Sequence, residues 1–337
     1  MTIAARELRV ERWTPASRLG AMLAAAAGVA LATFPFWAPS DIMRLVVEFA
    51  CLLAIAQMWN LLAGYGGLIS IGQQAYIGLG GYGLVVLAND AHVNPFFCVP
   101  LGGLAAAAFA VPTSRIVFRL AGGYFAVGTW VVAEVYRLVF ANIAALGGGS
   151  GQSLTALIGI PRDVREAVTY WIAIALMAAT TGGVYWLLQS RLGLALTAIR
   201  DSETAAESQG VDVARTKFIV YVAAAFGSGC AGALYFLNAL RISPDAAFGM
   251  SWIPLLFFTV VIGGIGTIEG PIVGTLIYFV MRQFLSDYGS WYLIVLGVVA
   301  IVVMIWAPRG IWGLLAARTS WRIFPLAHIV RDPRVDA

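Results

Sequence analysis

The chain has one lysine, Lys217, two histidines and three cysteines among 337 residues. Each scarcity removes a class of chemistry. A phosphate-binding loop needs a lysine directly after its glycine, whereas Lys217 stands in "RTKF"; if ATP drives this protein, another subunit binds it. His92 and His328 lie far apart, so a zinc or haem centre has almost no ligand supply, and no metal or other cofactor is expected on this chain. Cys51, Cys98 and Cys230 all fall in apolar runs, which reads as small buried residues and not as a disulfide framework. Charged residues make up only 11% of the chain, and no nucleophile, base and orienting group come together in it, which argues against an enzyme. The net charge of +4 does not point to nucleic acid, because the arginines sit at the ends of apolar runs, where membrane topology places them.

What the chain has instead is hydrocarbon. With 61% hydrophobic residues and a mean hydropathy of +0.86 it reads as an integral membrane protein. Crossing the bilayer core takes about 20 apolar residues. No Asp, Glu, Lys or Arg interrupts the runs Leu19 to Ser40, Phe49 to Asn89, Ala91 to Ser114, Ala167 to Ser190, Phe218 to Leu240, Ala246 to Ile268 and Tyr288 to Pro308. The second of these is long enough for two spans and can break near Gly64 to Gly67. Further spans around Gly122 to Leu146 and Pro271 to Ser286 complete an all-α transmembrane bundle of about ten helices. Residues 1–18 form a polar N-terminal segment, 19–308 the membrane domain with a polar loop at 191–217, and 309–337 a polar tail. The loop arginines place both termini and the 191–217 loop in the cytoplasm, since basic residues are retained there. The surrounding partner is then a lipid bilayer.

Two glycine-rich interruptions stand out, "LAGYGGLISIGQQAYIGLGGYG" from Leu62 and "GGIGTIEGPIVG" from Gly263. Close helix packing accounts for such glycines, and Gly270 with Gly274 forms a GxxxG pair. The sharper reading is a pair of broken helices flanking a midplane pathway. On that reading Ser70, Gln73, Gln74, Gly263, Gly264 and Gly266 are pathway candidates, the amides able to orient a zwitterion or to hydrogen-bond between helices. Ionisable groups inside apolar runs are costly and rarely without a role. Glu134 and Arg137, three apart, pair on one helix face, with Glu134 the remaining pathway candidate; Arg44 and Glu48, four apart, read as a structural pair.

The 191–217 loop holds four basic and four acidic side chains. Its pattern predicts a short helix from Asp201 or Ser202 to about Gln209, with Ser202 as N-cap, Glu203 in the first turn and Gly210 as the stop. Ala205 and Ala206 would leave one side small enough to enter a partner's groove. An ordinary solvated loop is the plainer alternative.

At this point the chain resembles the inner-membrane permease subunits of bacterial ABC importers for branched-chain amino acids. The resemblance is carried, in order, by "GYGGLISIGQQAYIGLGGYG", "LAGGYFAVGTWVVAEVYRLV" with "LGGGSGQSL", "RLGLALTAIRDSETAAESQGVDVARTKF", "ISPDAAFGMSW" and "VIGGIGTIEGPIVGTLI". It implies a second homologous permease, two cytoplasmic ATPases that hydrolyse ATP, and a periplasmic substrate-binding protein. It also implies that the 191–217 loop couples to the ATPases through Arg200, Glu203, Ala205, Ala206 and Gly210. The importers' Glu-Ala-Ala, three residues, Gly pattern is matched at Ala205, Ala206 and Gly210, while Thr204 holds the glutamate position and Glu203 lies one residue earlier. Leu68 and Gln73 stand where the family pattern has a glutamine and a histidine, which leaves urea, short amides and other amino acids open beside leucine, isoleucine and valine. An ion-gradient transporter and a channel for a small neutral solute such as urea remain as alternatives.

Overall fold

In hydrocarbon, backbone N–H and C=O groups must be satisfied within their own segment, and the apolar runs accordingly fold as helices. A computed structural model describes residues 9–11, 28, 30–285, 291–307, 310–319, 324 and 329–331. Within these the helices are α1 (Ser40–Asn60), α2 (Gln74–Val85), α3 (Cys98–Val117), α4 (Gly123–Asn142), α5 (Arg162–Gln189), α6 (Arg191–Asp201), α7 (Glu203–Ser208), α8 (Val213–Ala239), α9 (Pro244–Phe248), α10 (Trp252–Phe257), α11 (Glu269–Leu285), α12 (Trp291–Trp306) and α13 (Gly310–Thr319). Short antiparallel pairings join β1 (Arg9–Glu11) to β4 (Ile329–Arg331) and β2 (Gln152–Ser153) to β3 (Arg241–Ile242). The fold is an all-α polytopic bundle.

Among the described residues, seven stretches are long and apolar enough to cross a membrane: 40–65, 98–117, 123–142, 162–189, 213–239, 244–262 and 294–316. The expected number of about ten is approached only loosely. The helix begun by α2 runs on through a π-helical turn to Asp90 but stays short, and α11 has 17 residues. The first half of the span expected from Leu19 to Ser40 and most of the polar segment 1–18 lie outside the described residues. The tail expected from residue 309 contains a helix, α13, which packs back onto the bundle.

The centre of the bundle is α1, α2, α3 and α8. Every residue of α1 from Ala50 to Asn60 is buried, as befits a helix that is apolar on all sides. Glycines let α2, α3 and α8 touch backbone to backbone: a Cβ on Gly80 would lie 2.0 Å from the carbonyl oxygen of Gly229, and one on Gly103 would lie 2.2 Å from Cys230 Sγ. The periphery is different. Tyr124, Val127, Val131, Val135 and Leu138 form an exposed stripe along α4, and α12 exposes Ile294, Val298, Ile301 and Ile305. Such faces need hydrocarbon or another apolar chain against them.

One expected ion pair is replaced by another. Glu48 binds Arg282 of α11 and not Arg44, which lines a small cleft with Arg165 and Glu166. Four-residue spacing puts two side chains on one face of a helix, yet here each is drawn to an opposite charge on a different neighbouring helix.

Candidate functional site

Both glycine-rich interruptions are helix breaks, and they are built alike. The helix of α1 widens into a π-helical turn at Leu61–Tyr65, and the chain then reverses hand at Gly67 (φ +67°) before α2 starts at Gln74. The helix of α10 likewise widens at Phe258–Ile262, and left-handed glycines follow at Gly264 (φ +137°) and Gly266 (φ +75°) before α11 starts at Glu269. Only glycine adopts these angles readily. The remaining glycines serve packing: a Cβ on Gly274 would lie 1.7 Å from Thr259 O and one on Gly263 would lie 1.9 Å from Gly270 O.

The two breaks meet. A Cβ on Gly64 would fall 2.5 Å from the backbone nitrogen of Gly266. A helix break leaves backbone groups without helical partners, and in a membrane something must satisfy them. Two amides of α1 do so for the second break. Asn60 Oδ1 accepts from Gly266 N (2.9 Å), Asn60 Nδ2 donates to Thr267 O (2.8 Å), and Gln57 Nε2 donates to Ile268 O (2.8 Å). Both side chains are wholly buried. Their sequence signal is two amides three residues apart in an otherwise apolar run, a pattern that glycine content alone does not bring out.

The extended strand of the first break is held by other side chains. Trp59 Nε1 donates to Ser70 O (2.8 Å), and Thr129 Oγ1 of α4 accepts from Ile71 N (3.1 Å). Gln73 Nε2 donates to Ser228 Oγ of α8 at 2.6 Å. Ser70, Gln73 and Gln74 are all buried, and neither polar atom of the Gln74 side chain has a protein partner. The structure thus gathers Ser70, Gln73 and Gln74 at the first break and Gly263, Gly264 and Gly266 at the second. Glu134 stands apart from both. Its carboxylate takes Arg137 Nη2 at 2.6 Å, and Arg137 Nη1 reaches Asp245 Oδ1 of α9 at 2.6 Å, where α9 and the 144–157 loop gather.

The 191–217 loop packs directly on the first break. Its first part is a helix the sequence reading did not foresee, α6, capped by Ser190 Oγ on Leu192 N (3.2 Å). From α6, Arg200 Nη1 donates to Gly64 O at 3.3 Å, and Leu196 Cδ1 would touch a Cβ on Gly66 at 3.1 Å. The short helix follows as expected, with Ser202 Oγ accepting from Ala205 N (3.3 Å), Glu203 in the first turn and Gly210 at φ +83° beyond its end. Lys217 Nζ holds Glu203 Oε1 at 2.5 Å. Ala206 differs from expectation: it turns inward against Ile199 and Val213, because a six-residue helix needs an apolar anchor. Glu203, Thr204, Ala205, Glu207 and Gly210 are exposed.

The second break is also touched from the C-terminal side. A Cβ on Gly310 would lie 2.4 Å from Gly264 Cα, and Phe324 N donates to Glu269 Oε1 at 2.9 Å. The 191–217 loop on one hand, and Gly310 and Phe324 on the other, therefore bear on neighbouring breaks.

Comparison with known proteins places this architecture. The chain is 25% identical over 278 residues to the high-affinity branched-chain amino acid transport system permease protein LivM of Escherichia coli (strain K12), covering 75% of this chain and 65% of the relative. A probable branched-chain amino acid transport permease protein LivM of Methanocaldococcus jannaschii is 23% identical over 243 residues, covering 66% of this chain and 69% of the relative. A fructose import permease protein, FruG, of Bifidobacterium longum is 29% identical over 143 residues, 40% of this chain and 41% of the relative. The match to the Escherichia coli protein thus spans just under two thirds of that protein's length. No solved structure matches. The family model for the permease component of branched-chain amino acid transport systems matches residues 42–307, from the start of α1 past the end of α12, and the chain belongs to that family.

Proposed function

We propose that this chain is the membrane-spanning permease subunit of an ABC importer, forming the path for branched-chain or related amino acids and moved by separate ATPase subunits. The observation that carries the reading is the contact of Arg200 with Gly64 O, together with the contact of Gly64 with Gly266. A push on α7 reaches α6 through Ile199 and Ala206, reaches the first break through Arg200 and Leu196, and reaches the second through Gly64. Two half-broken helices then shift together, which is how alternating access is built where irregular backbone lines a pathway.

The partners are a second homologous permease, two ATPases seated on the exposed face of α7, and an external binding protein that supplies most of the substrate specificity. The exposed apolar stripes on α4 and α12 suit lipid and a second permease. The pairing of β1 with β4 brings residues near the two termini together, which supports placing both termini on one side, the cytoplasmic side given by the basic loops. The fructose import permease among the relatives keeps the substrate class broader than one amino acid family.

The test is purification of the tagged chain from its own membranes in mild detergent, with co-purifying chains identified by mass spectrometry. Recovery of ATPases and a second permease is expected. Recovery of this chain alone, stable and monodisperse, would favour a gradient-driven carrier or a channel.

A further inference from the structure

The Glu48 and Arg282 pair borders a cavity of about 200 Å³ lined otherwise by Leu52, Tyr235, Trp252, Leu255 and Tyr278. The charged pair of the cavity is distant from the breaks. Glu48 lies ~18 Å along α1 from Asn60, and Arg282 ~20 Å along α11 from Glu269, at 1.5 Å per residue. Four elements build it, α1, α8, α10 and α11, and two of these run straight into the breaks.

Its lining combines a guanidinium and a carboxylate with two leucines and three aromatic rings, Tyr235 standing edge-on to Trp252 at 5.1 Å between ring centres. Glu48 lies in a stretch long and apolar enough to cross the membrane, where an ionisable group is costly and marks function more often than not. A simple helix pin would need neither a cavity beside it nor aromatic walls.

We infer that this cavity is a transient substrate site on the side of the membrane away from the coupling loop, taking the zwitterionic head and aliphatic side chain of a neutral α-amino acid. The inference rests on the importer reading above. Arg282 presents the forked donor geometry that suits a carboxylate, and Glu48 accepts from the ammonium. Tyr235, Tyr278 and Trp252 line the same space, and aromatic rings attract such a cation. Leu52 and Leu255 meet the side chain. Size is of the right order: a cavity of ~150 Å³ holds the six heavy atoms of benzene, and leucine, about half as large again, has about 200 Å³ available. Charge agrees as well: a zwitterion opens one neutral pair and leaves two, whereas an acidic or basic amino acid would bury an unmatched charge. The resting ion pair competes with the ligand, so binding is weak and release toward the breaks is easy.

The test uses the complete importer in proteoliposomes with Leu255→Cys, and in parallel Leu52→Cys in case one variant assembles poorly. The native cysteines are buried, and the labelling rate by a small methanethiosulfonate reports occupancy. Leucine at about ten times its dissociation constant should slow labelling about tenfold, by mass action. Leucinamide, lacking the carboxylate, and 4-methylpentanoate, lacking the ammonium, should give no protection. Adding Glu48→Gln with Arg282→Gln, which keeps a neutral hydrogen-bonded pin between the helices, should abolish protection by leucine. Unchanged labelling in a variant that still imports leucine would overturn the site and leave the importer reading intact. An importer that carries no amino acid at all would overturn both, and uptake by the unsubstituted complex distinguishes the two failures.

Discussion

Gly64 and Gly266, separated by some two hundred residues in sequence, touch through their backbones, with Asn60 Oδ1 bonded to the Gly266 amide beside them. The contact joins two helix breaks into one unit. It has no room for a side chain on Gly64, and Gly266 is held at φ +75°, an angle that disfavours one.

Replacing Gly64 with alanine should therefore be costly. The added methyl would lie 2.3 Å from Asn60 Oδ1 and 2.5 Å from Gly266 N, and the second of these is backbone that cannot swing aside. Overpacking of this kind costs ~1–3 kcal/mol. Thermal unfolding of the detergent-solubilised protein should shift down, and uptake by the assembled importer should fall at least in proportion. Normal uptake would show that the breaks do not need to stay in contact.

Asn60→Leu should destabilise more than Gln57→Leu. The first removes both hydrogen bonds to the second break, to Gly266 N and Thr267 O; the second removes one, to Ile268 O. Each buried polar group left unsatisfied costs about 1–3 kcal/mol. Paired thermal-shift measurements decide the order, and equal shifts would mean that water replaces the lost partners.

Arg200→Ala should separate the ATPase cycle from transport. The guanidinium bond to Gly64 O is a contact from α6 to the first break. A charge-assisted hydrogen bond of this kind is worth about 1.5–3 kcal/mol, roughly a tenfold effect or more. ATP hydrolysis by the reconstituted importer should continue while substrate accumulation drops about tenfold. Equal losses of hydrolysis and transport would place Arg200 in assembly and not in coupling.

At Gly210 the effect should follow backbone angle alone, because open space surrounds the position a Cβ would take, and φ is +83°. Gly210→Asn should be tolerated and Gly210→Val should not, since β-branched residues rarely adopt a positive φ. Co-purification of the ATPases with each variant is the measurement, with membrane insertion unchanged in both. Equal recovery would remove the turn after α7 from the docking surface.

Local rules read the short helix α7 from sequence because its determinants are local: Ser202 caps it and Gly210 ends it within a few residues. The glycine clusters likewise showed where two helices break. Other features lay beyond such rules. Glycine composition does not distinguish Gly80, which admits a neighbouring backbone, from Gly67, which reverses the chain. Helical spacing put Glu48 beside Arg44 but holds no information about Arg282, which approaches from another helix. The α6 helix was legible in principle, from Ser190 as cap and Leu192, Leu196 and Ile199 at helical spacing, but its charged ends made it resemble a solvated loop. The match at Ala206 was found in sequence, whereas its inward orientation depends on Ile199 and Val213.

The contacts of Gly310 with Gly264 and of Phe324 with Glu269 have a consequence for biosynthesis. Translation proceeds from the N-terminus, so both breaks enter the membrane before the residues that complete the second one have been made. Until residues 310 and 324 emerge from the ribosome, Glu269 lacks its Phe324 partner and Gly264 its covering backbone. The second break is thus completed by residues made well after it, and a chain stalled before residue 310 would carry both of the breaks described yet leave the second one unsealed.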